Sequence, residues 1–420
     1  MQPITRRRFG AASLSSLAWT VANHIGMAEQ LQLATKPSSA RALIVLWLGG
    51  GPSQIETFDP KPGLAIGGPT RAIQTSVQGA QFAEGLPQLA QEMEHLAVVR
   101  SMTTKEGDHE RGTYLMKTGF RPVPTIVHPA LGAICAAELP QDRAEIPRYI
   151  SILSGDKATR GGYLGEQYDA FRTFDPGNPL TDLTSPVSDS RRQKRIEDLQ
   201  VVEDAFARRH PSQAQKTLHR QTVEQAVKMM GADQLKAFRV EEEPTAMRAA
   251  YGDTAFGRGC LAARRLIEVG VRCVEVALNG WDTHINNFKG TAEQTKILDP
   301  AFAALIRDLR QRDLWDSTLV LCTGEFGRTP KINPADGRDH WPTGFSLVLS
   351  GGGIHTGQVI GETPKDNSPT AKDPISVDDL YATILSALGI SPGKTHVTSI
   401  GRPIRLSDGK PLPRLLRSAE

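Results

Sequence analysis

Nine side chains have the types and spacing to do chemistry. Glu325 and Arg328 stand three apart just after a short apolar run, Leu319-Val320-Leu321-Cys322. Asp339-His340-Trp341 follow after a loop of Gly, Pro and Asn. A carboxylate with an imidazole is the ligand set of a catalytic divalent metal. An arginine beside them is the usual partner of a phosphate or sulfate group. A plainer arrangement also suits these residues, with Glu325 and Arg328 as an ordinary ion pair and His340 capping a turn. Asp282 and His284 form an Asp-x-His pair just past another apolar run, Val271 to Leu278. Two apart in extended chain, they point the same way, and one metal can take both. Glu56 and Asp59 follow the first glycine-rich loop as further candidate metal carboxylates, although Asp59-Pro60 equally reads as a turn. His109 precedes a segment that reads as a short helix ending at Gly119, which places it where backbone N–H groups attract anions.

These groups need one sheet edge to bring them together. Ala42 to Leu48, Leu96 to Val99, Ile150 to Leu153, Val271 to Leu278, Leu319 to Cys322 and Phe345 to Leu349 read as strands. Ala42 to Leu48 is continuous in apolar residues, as in parallel strands buried on both faces, and the other runs are mainly apolar. Helical segments lie between them, at Leu86 to Met93, Ala255 to Val269, Pro300 to Arg312 and Asp379 to Leu388. The expected fold is one α/β domain with a mainly parallel sheet. In such sheets ligands bind beyond the C-terminal ends of the strands, where the candidate residues fall. Residues 188–248 read as an amphipathic helical insert with both charge signs mixed.

The N-terminus reads as an export signal. Thr5-Arg6-Arg7-Arg8-Phe9 is followed by a mildly apolar stretch to about Ile25 and by small residues at Gly26-Met27-Ala28. This order resembles a twin-arginine signal over residues 1–28, which implies a periplasmic or otherwise exported protein. The chain has 49 basic and 46 acidic residues, and the three arginines of this leader account for the difference. A near-neutral remainder gives no support to nucleic-acid binding. No segment beyond the leader has the apolar length to cross a bilayer. Cys135, Cys260, Cys273 and Cys322 form no CxxC pair, and Cys273 and Cys322 fall in core strands.

Seven stretches between about residues 42 and 392 carry a family resemblance: LIVLWLGGGPSQIETFDPKP, HERGTYLMKTG, GWDTHINNF, TGEFGRTPKIN, GRDHWP, GGGIHTGQVIGET and DDLYATILSALGI. They resemble the DUF1501 family of exported bacterial proteins, spanning residues 40–415. By order and spacing they are also similar to the alkaline phosphatase and sulfatase superfamily. That resemblance implies a three-layer sandwich with helices on both faces of the sheet. It implies that Asp282 and His284 form a metal-ligand segment, and that Asp339-His340 is the late histidine loop. Glu325-Phe326 falls where the superfamily has an Asp-His pair. Glycines replace the first-strand aspartate, and the sulfatase nucleophile position falls on His109. Gln54 and Glu56 stand where DUF1501 has a His and a carboxylate.

The expectation is an exported hydrolase of phosphate or sulfate esters, acting on a small-molecule or polysaccharide ester. Its cofactor would be a divalent ion (Zn, Ca, Mg or Mn) held by Asp282, His284, Glu325, Asp339, His340, Glu56 and Asp59, with His109 and Arg328 in catalytic roles. The alternative is a non-catalytic exported binding or structural protein on the same fold.

Overall fold

The computed structural model describes residues 40–417 apart from 141–143, 155–158, 182–184, 215–216 and 369–370. The twin-arginine segment lies outside the described residues. The main sheet has nine strands. They are β1 (Ala42–Gly49), β2 (Leu96–Thr103), β3 (Tyr149–Ile152), β4 (Phe171–Thr173), β5 (Cys273–Asn279), β6 (Thr318–Thr323), β7 (Phe345–Gly351), β8 (Gln358–Ile360) and β9 (Ile375–Ser376). Their order is β8-β2-β7-β6-β1-β5-β3-β4, with β9 also pairing β2. Only β7 runs antiparallel, against both β2 and β6; the other pairings are parallel.

The sheet is buried on both faces, which is why β1 reads as an unbroken apolar run and its neighbours as mainly apolar ones. Ile44, Leu46 and Leu48 of β1 join one core with Leu261, Leu266, Leu298 and Phe302. Leu43, Val45 and Trp47 alternate into the other core with Ile134, Cys135, Leu380, Tyr381 and Ile384. The helices supplying these side chains are α1 (His109–Thr118), α2 (Leu131–Glu138) and α8 (Val377–Ala387) on the second face, and α6 (Ala255–Glu268) and α7 (Asn287–Gln311) on the first. Each large apolar side chain so buried contributes roughly 1.5–3 kcal/mol. The result is a three-layer α/β sandwich.

Between β4 and β5 lie α3 (Asp189–Arg209), α4 (His219–Met230) and α5 (Thr245–Tyr251). No residue of α3 is buried, as its charge-rich sequence implies. Some elements differ from the sequence reading. The helix expected to begin at Pro300 begins at Asn287, with Pro300 in its interior. Leu298, Ala301 and Phe302 are fully buried there, and packing of that face overrides the local cost of proline. Residues 155–186, whose many Gly, Pro, Asp and Thr residues read as loop, contain the edge strand β4.

One buried ion pair ties the second helical layer to the sheet. Lys117 Nζ on α1 lies 2.6 Å from Glu275 Oε1 on β5, with both side chains at most 5% exposed. The ammonium also stands 4.7 Å from the centre of the Trp47 ring. The pair therefore fixes the helix that begins at His109 against the strand that leads to Asp282. All four cysteines are free and buried.

Candidate metal centre

Parallel strands deliver their following loops to one edge, and four of those loops meet here. Gly50 and Gly51 follow β1, Asp282 and His284 follow β5, Glu325 and Arg328 follow β6, and His109 follows β2. The β1 loop needs glycine: Gly50 has φ +118°, and a Cβ there would lie 2.4 Å from Asp282 N. Asp108 caps α1 by accepting hydrogen bonds from Glu110 N and Arg111 N, which fixes His109 at the first turn. A two-residue ladder pairs His340 with Arg328 and Trp341 with Gly327, which carries His340 in beside the β6 loop.

Three imidazoles converge on Asp282. His109 Nε2 is 3.3 Å from Asp282 Oδ2. His284 Nε2 and His340 Nε2 are 3.2 and 3.5 Å from Asp282 Oδ1. The ligand atoms of His109, Asp282 and His340 all lie within 4.8 Å of one another. Each imidazole is held from behind by its other nitrogen. His109 Nδ1 donates to Glu325 Oε1 at 2.7 Å, His284 Nδ1 to Asp339 Oδ1 at 3.0 Å, and His340 Nδ1 to the Gly107 carbonyl at 2.7 Å. These acceptors carry no proton to give, so each neutral ring keeps its proton on Nδ1 and turns the Nε2 lone pair inward. His284 Nε2 and His340 Nε2 are then only 3.0 Å apart, a contact that repels unless a proton or cation lies between them. His109 Nε2 is buried without a hydrogen-bond partner, and so is Glu325 Oε2. The inward Nε2 atoms and the Asp282 carboxylate form a donor set that fits a cation. Backing of each ring by a carboxylate or carbonyl is the arrangement that orients metal-ligating histidines.

Phe326 is fully buried and packs its ring against His109 and His340, with centroids 5.1 and 4.4 Å away. The entrance remains open: the Asp282, His284 and Asp339 side chains are 48%, 42% and 61% exposed.

The charges act as these contacts require. The hydrogen bond to Glu325 holds His109 above the ordinary histidine range, against the opposing effect of burial. Burial lowers His340. Burial alone would raise Asp282, but the hydrogen bond and charge of Arg328 outweigh it and hold the carboxyl low. The His284 contact lowers Asp339.

Three expectations from the sequence take a different form. Arg328 does not face outward toward an anion. It is fully buried, and its donors go to the carbonyls of Gly50, Gly51 and Arg338 and, at 2.5 Å, to Asp282 Oδ1. Those carbonyls lie in loops with no ladder partner, so the guanidinium is spent on them rather than left free for a phosphate or sulfate. Glu325 and Asp339 stand behind imidazoles, because Nδ1 and Nε2 face opposite sides of a ring. Glu325 Oε1 also accepts from Gly50 N at 3.0 Å. Glu56 and Asp59 serve elsewhere. Glu56 takes Arg338 through both oxygens, at 2.7 and 3.1 Å, and accepts from Asn287. Asp59 takes Lys61, Arg100 and Thr363.

The sequence reading missed three supporting groups. Asn333 donates to the His284 carbonyl at 2.9 Å and accepts from Ala335 N and Gly337 N. Its Asn-Pro-x-Asp-Gly context is a turn signal that marked the loop but not this contact. Arg338 clasps the β1 and β6 loops through a partner 282 positions away, which no local pattern announces. The Gly107 carbonyl behind His340 is a backbone group and leaves no mark in the sequence.

The model of the family described as "Protein of unknown function (DUF1501)" matches residues 40–416. No curated protein matches the chain. Among solved structures, an alkaline phosphatase mutant from the bacterium TAB5, with Mg bound in its M3 site, is similar at 11% identity and TM-score 0.40. It covers 85% of this chain and 100% of its own. The PsFucS1 sulfatase from Pseudoalteromonas sp. is similar at 11% identity and TM-score 0.37, covering 88% of this chain and 71% of its own. The lipoteichoic acid synthase LtaP from Listeria monocytogenes is similar at 10% identity and TM-score 0.39, covering 85% and 74%. The chain belongs to the DUF1501 family.

Proposed function

We propose that this DUF1501 protein is an exported, metal-dependent hydrolase of phosphate or sulfate esters. One observation carries the metal reading: three imidazoles, each with Nδ1 committed to an acceptor, turn Nε2 toward a single carboxylate. His109, Asp282 and His340 would hold the ion, and His284 completes the set from the more exposed side. Three imidazoles and one carboxylate suit zinc better than calcium or magnesium, which favour all-oxygen sites. A bound divalent ion supplies a Lewis acid that polarises an ester oxygen and makes water a nucleophile near neutral pH.

The chain's own residues supply position and charge. Glu325, Asp339 and the Gly107 carbonyl fix the three rings and their tautomers. Arg328 holds Asp282 by one oxygen and leaves the other facing His109. Phe326 packs against the His109 and His340 rings, while the exposed side of Asp282 and His284 gives an ester its approach. The ester class rests on the similarity of the motif order to alkaline phosphatases and sulfatases. A small-molecule or polysaccharide ester suits an open site of this kind. Export rests on the twin-arginine pattern, and a signal of this type carries proteins already folded around a cofactor.

The test is purified protein assayed for metal content and for hydrolysis of aryl phosphates and aryl sulfates. His284→Ala should reduce metal content and ester hydrolysis together. Thr283→Ala should spare both and cost only about 1 kcal/mol of stability, because its hydroxyl points away to Asn287 at 2.6 Å. Bound metal without turnover of either ester class would replace the hydrolase reading with a binding protein.

A further inference from the structure

Arg328 sits inside the cluster, not beside it. Its side chain is fully buried, and Nη2 lies 2.5 Å from Asp282 Oδ1, the same oxygen that faces His284 and His340. The remaining donors grip the Gly50, Gly51 and Arg338 carbonyls, so the guanidinium cannot swing out to solvent without unmaking the β1 loop. Arginine stays charged in proteins, so a fixed positive charge is built into the centre.

We infer that the fixed positive charge of Arg328 limits the centre to one divalent cation per chain. The inference rests on the metal reading above and specifies its stoichiometry. Two observations support it. The first is charge. Three carboxylates touch the side chains of the centre: Asp282 on Arg328, Glu325 on His109 and Asp339 on His284. Arg328 offsets one of them, and the two negative charges left match one divalent ion. A second ion would leave the centre with an uncompensated double positive charge in a partly buried site, which is costly. The second is geometry. Glu325 lies behind His109 and Asp339 behind His284, on the far side of each ring from Asp282. Neither carboxylate shares a point with the converging Nε2 atoms, so the inward-facing donors make one set rather than two.

The full mature chain would be stripped with a chelator, saturated with zinc(II), and the bound metal counted. A parallel sample saturated with manganese(II) would be examined by electron paramagnetic resonance. The expected result is one ion per chain and the uncoupled spectrum of isolated manganese(II). Two ions per chain, or a spin-coupled pair, would overturn the inference and leave the hydrolase reading standing. No bound ion at saturation would overturn both. Arg328→Gln adds a second arm where it folds. Loss of the fixed charge should admit a second ion or tighten the first by about tenfold, since a neighbouring positive charge repels a cation. Weaker binding with the count unchanged would mean that Arg328 only positions Asp282, and would overturn the inference. Where that variant does not fold, the counts on the unaltered chain decide alone.

Discussion

Glu325→Gln separates a group behind the metal from a ligand on it. Glu325 is 2% exposed, and its Oε1 accepts from His109 Nδ1 at 2.7 Å and from Gly50 N at 3.0 Å. Glutamine keeps the shape and an acceptor oxygen but loses the charge. A hydrogen bond to a charged group contributes about 1.5–3 kcal/mol and a neutral one about 0.5–1.5 kcal/mol. The substitution should thus weaken the orientation of His109 by about 1–1.5 kcal/mol, close to tenfold in affinity. Loss of the carboxylate also makes His109 less basic, and outer partners of this kind commonly change metal affinity by about 10–100-fold. Competition of the apo protein with a chromogenic zinc chelator would measure the change. Binding weakened within that range, with stoichiometry kept, is the expected result. Abolished binding would mean that Glu325 is itself a ligand. Unchanged binding would mean that the His109–Glu325 contact does not orient a metal ligand, and the account of the centre would fail at that point.

Further outcomes follow from the same structure. Lys117→Met leaves Glu275 buried without its ion-pair partner and should cost about 3–5 kcal/mol in urea denaturation, whereas Lys117→Met with Glu275→Leu should recover most of it; equal costs for the single and double variants would contradict the pairing. Metal affinity should fall as pH falls, because a proton competes for His109, whose folded pKa is raised by Glu325. The sign in the metal-free protein is opposite. A raised histidine pKa contributes stability that is present below about pH 6.5, the unfolded value, and is lost as pH rises through the higher folded value. Thermal melts of apo and zinc-loaded protein across this range should therefore diverge as pH rises, and parallel curves would count against it. Arg6→Lys with Arg7→Lys should leave precursor in the cytoplasm, since the pair is read by a receptor; normal export of that variant would remove the twin-arginine reading.

The sheet was largely legible because its strands are buried on both faces. ALIVLWL at β1 is a continuous apolar run and VRCVEVAL at β5 a mainly apolar one rich in valine, and such short runs admit few alternatives. The antiparallel course of β7 was not legible, because direction depends on pairing and not on composition. Pro300 misplaced a helix start, since the rule for proline is local and the buried face around it is not. At the candidate site, spacing gave the residues but not their roles. Asp282 and His284 point together as an x-spaced pair should. Glu325 and Asp339 were read as ligands because a carboxylate near an imidazole looks the same from the sequence whether it faces Nε2 or Nδ1. Arg328 was read as a free anion clamp, and only the fold shows its donors spent on the carbonyls of Gly50 and Gly51. Glu56 looked like a ligand beside glycines, yet its partner Arg338 comes from the far end of the chain.

The most direct measurement is an anomalous difference map from crystals of the zinc-loaded protein, collected across the zinc edge. The account predicts one peak within about 2.0–2.2 Å of His109 Nε2, His340 Nε2 and an Asp282 oxygen, with Glu325 and Asp339 outside that shell. No peak among these residues, or one bound to Glu325 and Asp339 in place of the imidazoles, would contradict it.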